Sequence, residues 1–165
     1  ALRVIHRTRR VECFDWLNLP SSATASRPPI HGFHHFSATV CDVEASVSWY
    51  QRVLGLQRLP APFPHYGGEK AGYAIVLIDP DAGISVGLHH HDRNNRQPFD
   101  EAQTGLDHIA MNVPSRADLD AWVTWLDSQG VPNSGVNDTD DPIPHSALIF
   151  RDPDNIQLEL FHLPG

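Results

Sequence analysis

The chain alternates between polar and apolar side chains in two short stretches, residues 33–40 and 108–113. Successive side chains of a β-strand point to opposite faces, so this alternation predicts a strand in each stretch, with one polar and one apolar face. The polar faces carry His35, Ser37 and Thr39 in the first strand and His108, Ala110 and Asn112 in the second.

Apolar residues at helical spacing follow each predicted strand. Asp42 is placed to cap the N-terminus of the first helix, and Gly55 is placed to end it. Ser115 and Gly130 have the same roles in the second helix. Further strands are predicted at residues 72–78, 83–90, 146–150 and 155–161. Each pair of these strands is joined by an Asp-Pro-Asp turn.

These landmarks repeat along the chain. His35 and His108 are 73 positions apart, as are the first aspartates of the two Asp-Pro-Asp turns, Asp79 and Asp152. One extra residue after the first turn changes the shift to 72, which aligns Gly87 with Glu159. A repeat of this length indicates a duplicated unit of strand, helix and two or three strands, and therefore an α+β fold.

Composition narrows the range of functions. The chain has 165 residues, 41% of them hydrophobic, which suffices for a compact domain, and its net charge of −8 argues against nucleic acid as a partner. The two cysteines have no metal-binding spacing, and no apolar run is long enough to span a membrane. We therefore expect a soluble, cytoplasmic protein with no membrane partner. Residues 1–30 are interpreted as an N-terminal extension or linker, with a short helix over roughly residues 9–18.

The quoted motifs, HHFSATVCDVEASVSWYQRVLGL with IDPDAGISVGL and GLDHIAMNV with FRDPDNIQLELFH, resemble the vicinal oxygen chelate superfamily. That superfamily includes glyoxalase I, bleomycin and fosfomycin resistance proteins and extradiol dioxygenases. The resemblance implies two tandem βαβββ modules, here residues 31–92 and 105–163 of a domain spanning 31–165. Their curved mixed sheets would surround a central cavity that holds a divalent metal ion.

Carried over by position, the metal ligands implied by the resemblance are His35, His108 and Glu159. The fourth position, a carboxylate or amide in glyoxalase-like members, is Gly87, which makes glyoxalase I itself a poorer match. Two histidines and one carboxylate leave coordination positions open for a small substrate with vicinal oxygens, and they suit Fe²⁺, Mn²⁺, Zn²⁺ or Ni²⁺. His89, two residues further along the same face as Gly87, is an alternative fourth ligand.

For catalysis, the resemblance implies Glu159 together with His89 or His91, since extradiol dioxygenases use an acid/base histidine in about this region. The run of histidines at 89–91 is also compatible with an ordinary surface loop. One departure counts against a dioxygenase, because Ile149 stands where the family motif has a tyrosine, and the nearby His145 falls outside the usual spacing.

Other polar residues could surround the substrate. His65 and Tyr66 would line the mouth of the cavity or belong to an exposed loop. Side chains on the same faces as the proposed ligands could orient those ligands or contact substrate. They are Ser37, Thr39, Asn112 and Gln157.

Two classes of function remain open. The first is a metal-dependent isomerase, lyase or ring-cleaving dioxygenase; a fosfomycin transferase fits less well, because Lys70 is the sole lysine. The second is a metal-free protein of the bleomycin-resistance type that sequesters a cationic drug, which the acidic composition suits. The two modules could close the cavity within one chain or between two chains. We expect a homodimer in which His35 of one chain meets His108 and Glu159 of the other.

Overall fold

The computed structural model describes residues 28–30, 32–65 and 71–164. These residues form two helices and nine strands: β1 (Phe36–Thr39), α1 (Val43–Leu54), β2 (Gln57–Arg58), β3 (Phe63–Pro64), β4 (Gly72–Asp79), β5 (Ile84–His91), β6 (His108–Asn112), α2 (Arg116–Ser128), β7 (Asn133–Thr139), β8 (His145–Arg151) and β9 (Gln157–His162). The first sheet has the order β1-β5-β4-β2, with β3 also paired to β4, and the second has the order β6-β9-β8-β7. The predicted α+β fold of two tandem modules is confirmed.

The strand register confirms the internal repeat residue by residue. In the first sheet β1 runs parallel to β5 and pairs Ser37 with Gly87. In the second sheet β6 runs parallel to β9 and pairs Ala110 with Glu159. Gly87 and Glu159 therefore occupy equivalent positions in the two modules.

The helices begin and end where the sequence predicts. The Asp42 carboxylate accepts a hydrogen bond from the Ala45 amide at 3.0 Å, and Gly55 ends α1 with a φ of 70° that suits glycine. Ser115 caps α2 in the same way, accepting from the Asp118 amide. Gly130 follows α2, also at positive φ.

Each helix covers the apolar face of its own sheet. Helix α1 packs on β4 and β5, while α2 packs on β7, β8 and β9. The largest fully buried side chains include Tyr50, Leu88, Leu119, Phe150 and Leu158, and they belong to one continuous core that spans both modules. The opposite face of each sheet is not covered by its helix, and it is the face that carries the predicted site residues. We call it the open face.

The second Asp-Pro-Asp turn holds the two modules together. Asp154 accepts hydrogen bonds from the Cys41 amide at 2.8 Å and from the Ser46 hydroxyl at 3.2 Å. Asp152 accepts one from the Tyr50 hydroxyl at 3.0 Å. Burial raises the pKa of Asp152 to about 6, and burial also raises the pKa of Tyr50. The buried hydrogen bonds of Ser46 and Tyr50 to this turn fix the position of α1 on the second module.

Strand boundaries differ from the prediction by up to three residues, and two of these differences concern predicted site residues. β1 begins at Phe36, so His35 lies just before the strand. Among the described strands β1 pairs with β5, and the alternation of side chains does not reveal where the hydrogen bonds between these two strands end. β5 continues through His91, so the histidine run belongs to a strand and is not a surface loop. Residues 1–27, with the predicted helix at 9–18, lie outside the described residues. Neither helix in the described ranges has the length and apolar character needed to span a membrane.

Candidate functional site

The second sheet brings His108 and Glu159 to its open face. His108 is the first residue of β6, and Glu159 pairs across the ladder with Ala110, two residues further along β6. Residues two apart on a strand share a face, so His108 and Glu159 are diagonal neighbours whose side chains are within reach of each other. Two of the three predicted ligands are therefore adjacent.

The imidazole of His108 is oriented by its neighbour in sequence. The Nδ1 atom of His108 lies 2.6 Å from a carboxylate oxygen of Asp107. A carboxylate accepts from Nδ1–H, which leaves the Nε2 lone pair of a neutral ring free to bind a metal ion. Asp107 was not among the residues predicted for the site, although the Asp-His pair belongs to the motif GLDHIAMNV.

The carboxylate of Glu159 is half-buried and has no hydrogen-bond or ion-pair partner among the described residues. Its two cross-strand neighbours, Ala110 and Ile149, offer no polar group. Its unpaired oxygens are accessible to solvent and therefore available to a cation. Together with the free nitrogen of His108, it forms a donor pair that fits a divalent cation.

His35, the third predicted ligand, lies beside the first sheet. His35 precedes β1, is exposed, and its Nδ1 lies 2.8 Å from Nδ1 of His34. It stands in the same relation to Gly87 as His108 does to Glu159. The first module thus has the histidine of the repeated pattern but not the carboxylate.

The space above Gly87 is occupied by other side chains. A Cβ atom at this position would lie 2.5 Å from Oγ of Ser37 and 3.4 Å from Nε2 of His89. Glycine therefore allows the Ser37 hydroxyl and the His89 ring to approach the strand where the second module carries Glu159. His89 therefore lies close to the position of the carboxylate that the first module lacks, as its place on the strand predicts.

His65 joins this group from the segment that follows β3. Its Nδ1 is 3.1 Å from Nδ1 of His89, and its ring meets that of His91 edge to face, with ring centres 4.8 Å apart. Burial lowers the pKa of His89, and the charges that His65, His35 and His91 would carry lower it further. Tyr66, the other residue predicted at the cavity mouth, lies outside the described residues, as does Lys70.

Within one chain, the predicted ligands form two separate groups. His108 and Glu159 lie on the second sheet, and His35 is beside the first. No three metal-binding side chains converge in the described ranges. A cavity of about 360 Å³ lies between α1 and α2, and one of about 330 Å³ lies beside His145 and His162; the predicted ligands line neither.

The remaining predicted residues have varied environments. Ser37, Thr39 and Asn112 are exposed on the open faces. Gln157 accepts a hydrogen bond from Arg151, which also binds Glu101 in a two-point ion pair and lowers the pKa of that carboxyl to about 2.

His145 and Ile149, the two residues at or near the position of the family tyrosine, both belong to β8. His145 stacks on Phe161 on the open face of the second sheet, with ring centres 5.0 Å apart. It therefore has a packing role in the described structure. Ile149, where the family motif has a tyrosine, is the direct cross-strand neighbour of Glu159.

Solved structures show where this fold has been seen before. A glyoxylase/bleomycin resistance protein/dioxygenase domain from Frankia sp. EAN1pec is 31% identical, with a TM-score of 0.68 over 81% of this chain and 98% of that one. The fold also matches a variant of the fosfomycin resistance protein FosX from Listeria monocytogenes, which was solved with Mn(II) and 1S,2S-dihydroxypropylphosphonic acid. That match has 17% identity and a TM-score of 0.53 over 80% of this chain and 92% of that one.

Sequence comparison adds a curated relative. MhqA of Bacillus subtilis (strain 168), a provisionally assigned ring-cleaving dioxygenase, is 25% identical over 108 residues, or 66% of this chain. The match spans only 34% of MhqA, about a third of its length. The family model of the Glyoxalase/Bleomycin resistance protein/Dioxygenase superfamily matches residues 32–160. The chain therefore belongs to this superfamily, as the repeated motifs indicate.

Proposed function

We propose that this protein is a metal-dependent enzyme that binds the vicinal oxygens of a small molecule through an ion held by His35, His108 and Glu159. The observation that supports the proposal most strongly is the half-buried, unpartnered carboxylate of Glu159 beside the Asp107-oriented ring of His108. Both donors lie on the same open face, and the Glu159 oxygens are accessible to solvent, so a cation can bind them directly.

We propose further that the site is completed by a second copy of the chain. One chain places His108 and Glu159 on one open face, whereas His35 belongs to the other sheet. In a symmetric dimer, the first module of each chain can face the second module of its partner, which forms two equivalent sites. His35 of one chain would then complete the coordination begun by His108 and Glu159 of the other.

A bound divalent ion would supply charge stabilisation to substrate oxygens as they become anionic. Glu159 and His108 would fix the ion and leave coordination positions open toward the cavity. His89 and His91 share the open face of the first sheet, and they would exchange protons with the substrate. The likeness to MhqA is a reason to test ring-cleaving dioxygenation before isomerisation.

Metal titration of the untagged protein tests the proposal. We expect Mn²⁺ or Zn²⁺ to bind. The variants His35→Ala, His108→Ala and Glu159→Gln should each weaken binding by at least about 100-fold, because each removes one of only three protein ligands. Asp107→Ala should weaken it by about 10-fold, through the orientation of His108. Binding should also fall below about pH 6.5, where histidine ligands become protonated.

The matched control is His145→Ala, which removes a histidine from the same open face but not a proposed ligand. The metal affinity of this variant should stay within about 2-fold of wild type, the small change expected from a substitution away from the site. Circular dichroism should show that all variants keep the fold. Equal metal affinity in the ligand variants and wild type would contradict the site, and a wild-type protein that binds no metal would favour the drug-sequestering alternative.

A further inference from the structure

Three histidines form a contact group on the open face of the first sheet. His89 and His91 are on β5, and His65 follows β3. The Nδ1 atoms of His65 and His89 are 3.1 Å apart, so one ring donates a hydrogen bond to the other. His65 also packs edge to face against both other rings.

The two nitrogens of His89 are directed to different places. Nδ1 faces His65, whereas Nε2 lies 3.4 Å from the point where a Cβ of Gly87 would be. Gly87 is the register equivalent of the proposed ligand Glu159. One edge of the ring therefore faces the position of the proposed reaction, and the other edge faces a second imidazole.

The surroundings of this ring favour its neutral form. His89 is half-buried, and burial lowers its pKa; His65, His35 and His91 add to this effect through the charge each would carry. Two imidazolium rings 3.1 Å apart would repel each other strongly, so the pair holds one extra proton at most.

We propose that His65 and His89 form a two-ring proton relay between substrate and solvent, a role that rests on the proposed function. His89 Nε2 accepts the proton of a substrate hydroxyl as the O–H bond breaks, and the proton on His89 Nδ1 passes to Nδ1 of His65. His65, which is half-buried, then releases its Nε2 proton to water. One proton leaves the substrate, one reaches the solvent, and His89 ends as the other neutral tautomer.

Histidine NMR on the metal-free protein tests the pairing without an assay. We expect His89 to hold one tautomer in the wild type, fixed by the hydrogen bond between its Nδ1 and that of His65. His65→Phe keeps a ring beside His91 but removes the hydrogen bond and the charge, so the pKa of His89 should rise and its tautomers should mix. His90→Phe is the control, because His90 lies on the opposite face beside Tyr73 and should leave His89 unchanged.

Calorimetry on the Mn²⁺-loaded protein tests the relay itself. Catechol binding is measured in two buffers of different ionisation enthalpy, which reports the protons released. Wild type should release a proton to the buffer, and His65→Phe should release much less, since His89 retains it. Mn²⁺ affinity should be the same in both proteins, because His65 is not a proposed ligand.

Unchanged titration and tautomer of His89 in His65→Phe would overturn the relay, as would equal proton release on catechol binding. Failure of the proposed function looks different. In that case neither protein binds Mn²⁺ or catechol, while the NMR experiment on the metal-free protein still decides whether the two rings exchange a proton.

Discussion

At the scale of single residues, Gly87 shows how the two halves of a repeat can diverge in chemistry while keeping their geometry. The register places it where the other module has Glu159, yet Ser37 and His89 occupy the space that a side chain would need. The missing carboxylate is therefore accompanied by a change in its neighbours. The first module offers nitrogen donors and a hydroxyl where the second offers a carboxylate.

Substitution at this position tests that packing. Gly87→Ala should destabilise the protein by about 1–2 kcal/mol, because its Cβ would be too close to the Ser37 hydroxyl. The cost should fall below about 1 kcal/mol in a Ser37→Ala background, which removes the closest atom. Urea denaturation of the four proteins in this cycle measures both values, and an equal cost in the two backgrounds would show that Ser37 does not limit the space.

The repeat predicted which positions of the two modules are equivalent, but it did not predict the hydrogen-bond partners of the residues there. The shift between repeats aligned Gly87 with Glu159, and parallel pairing preserves that alignment in both sheets. The contacts of His108 with Asp107 and of His89 with His65 were not predicted. They depend on rotamers and on the path of a loop, neither of which follows from residue spacing.

At the scale of elements, the two Asp-Pro-Asp turns are alike in sequence but different in role. Asp79 accepts hydrogen bonds from the amides of Asp81 and Ala82 within its own exposed turn. Asp152 and Asp154 are buried and accept hydrogen bonds from the first module. The sequence predicted both turns, but only the packing of α1 against the second module distinguishes them.

The buried turn gives a prediction for pH dependence. Because burial raises the folded-state pKa of Asp152 to about 6 from its ordinary value of 3.8, its contribution to stability is present below about pH 4. That contribution is lost as the pH rises through about 6. The difference between the folded and unfolded pKa values of Asp152 limits this loss of stability to roughly 3 kcal/mol.

Asp152→Asn is nearly isosteric and cannot ionise, so it isolates this contribution. The free energy of unfolding of wild type minus that of Asp152→Asn should decrease between pH 4 and pH 7. Denaturant titrations at several pH values measure this difference. If the difference is constant or increases over this range, Asp152 does not have a raised pKa in the folded protein.

At the scale of the whole molecule, the arrangement of the two modules decides how the site can form. The modules share one core and are fixed by the turn at Asp152–Asp154, while His35 and the pair His108–Glu159 belong to different sheets. The repeat predicted two modules, and the structure confirms them. Sequence could not specify whether the modules of one chain or of two chains face each other, since both arrangements use the same local contacts.

Complementation between inactive variants tests the central claim, that His35 of one chain meets His108 and Glu159 of another. His35→Ala and Glu159→Gln proteins are mixed, allowed to exchange subunits, and assayed for bound Mn²⁺. Half of the dimers would be mixed, each with one intact site of two, so we predict recovery of about a quarter of wild-type binding. A mixture of His108→Ala and Glu159→Gln, which share a damaged module, should recover none. No recovery in the first mixture, with subunit exchange verified, would contradict the shared site.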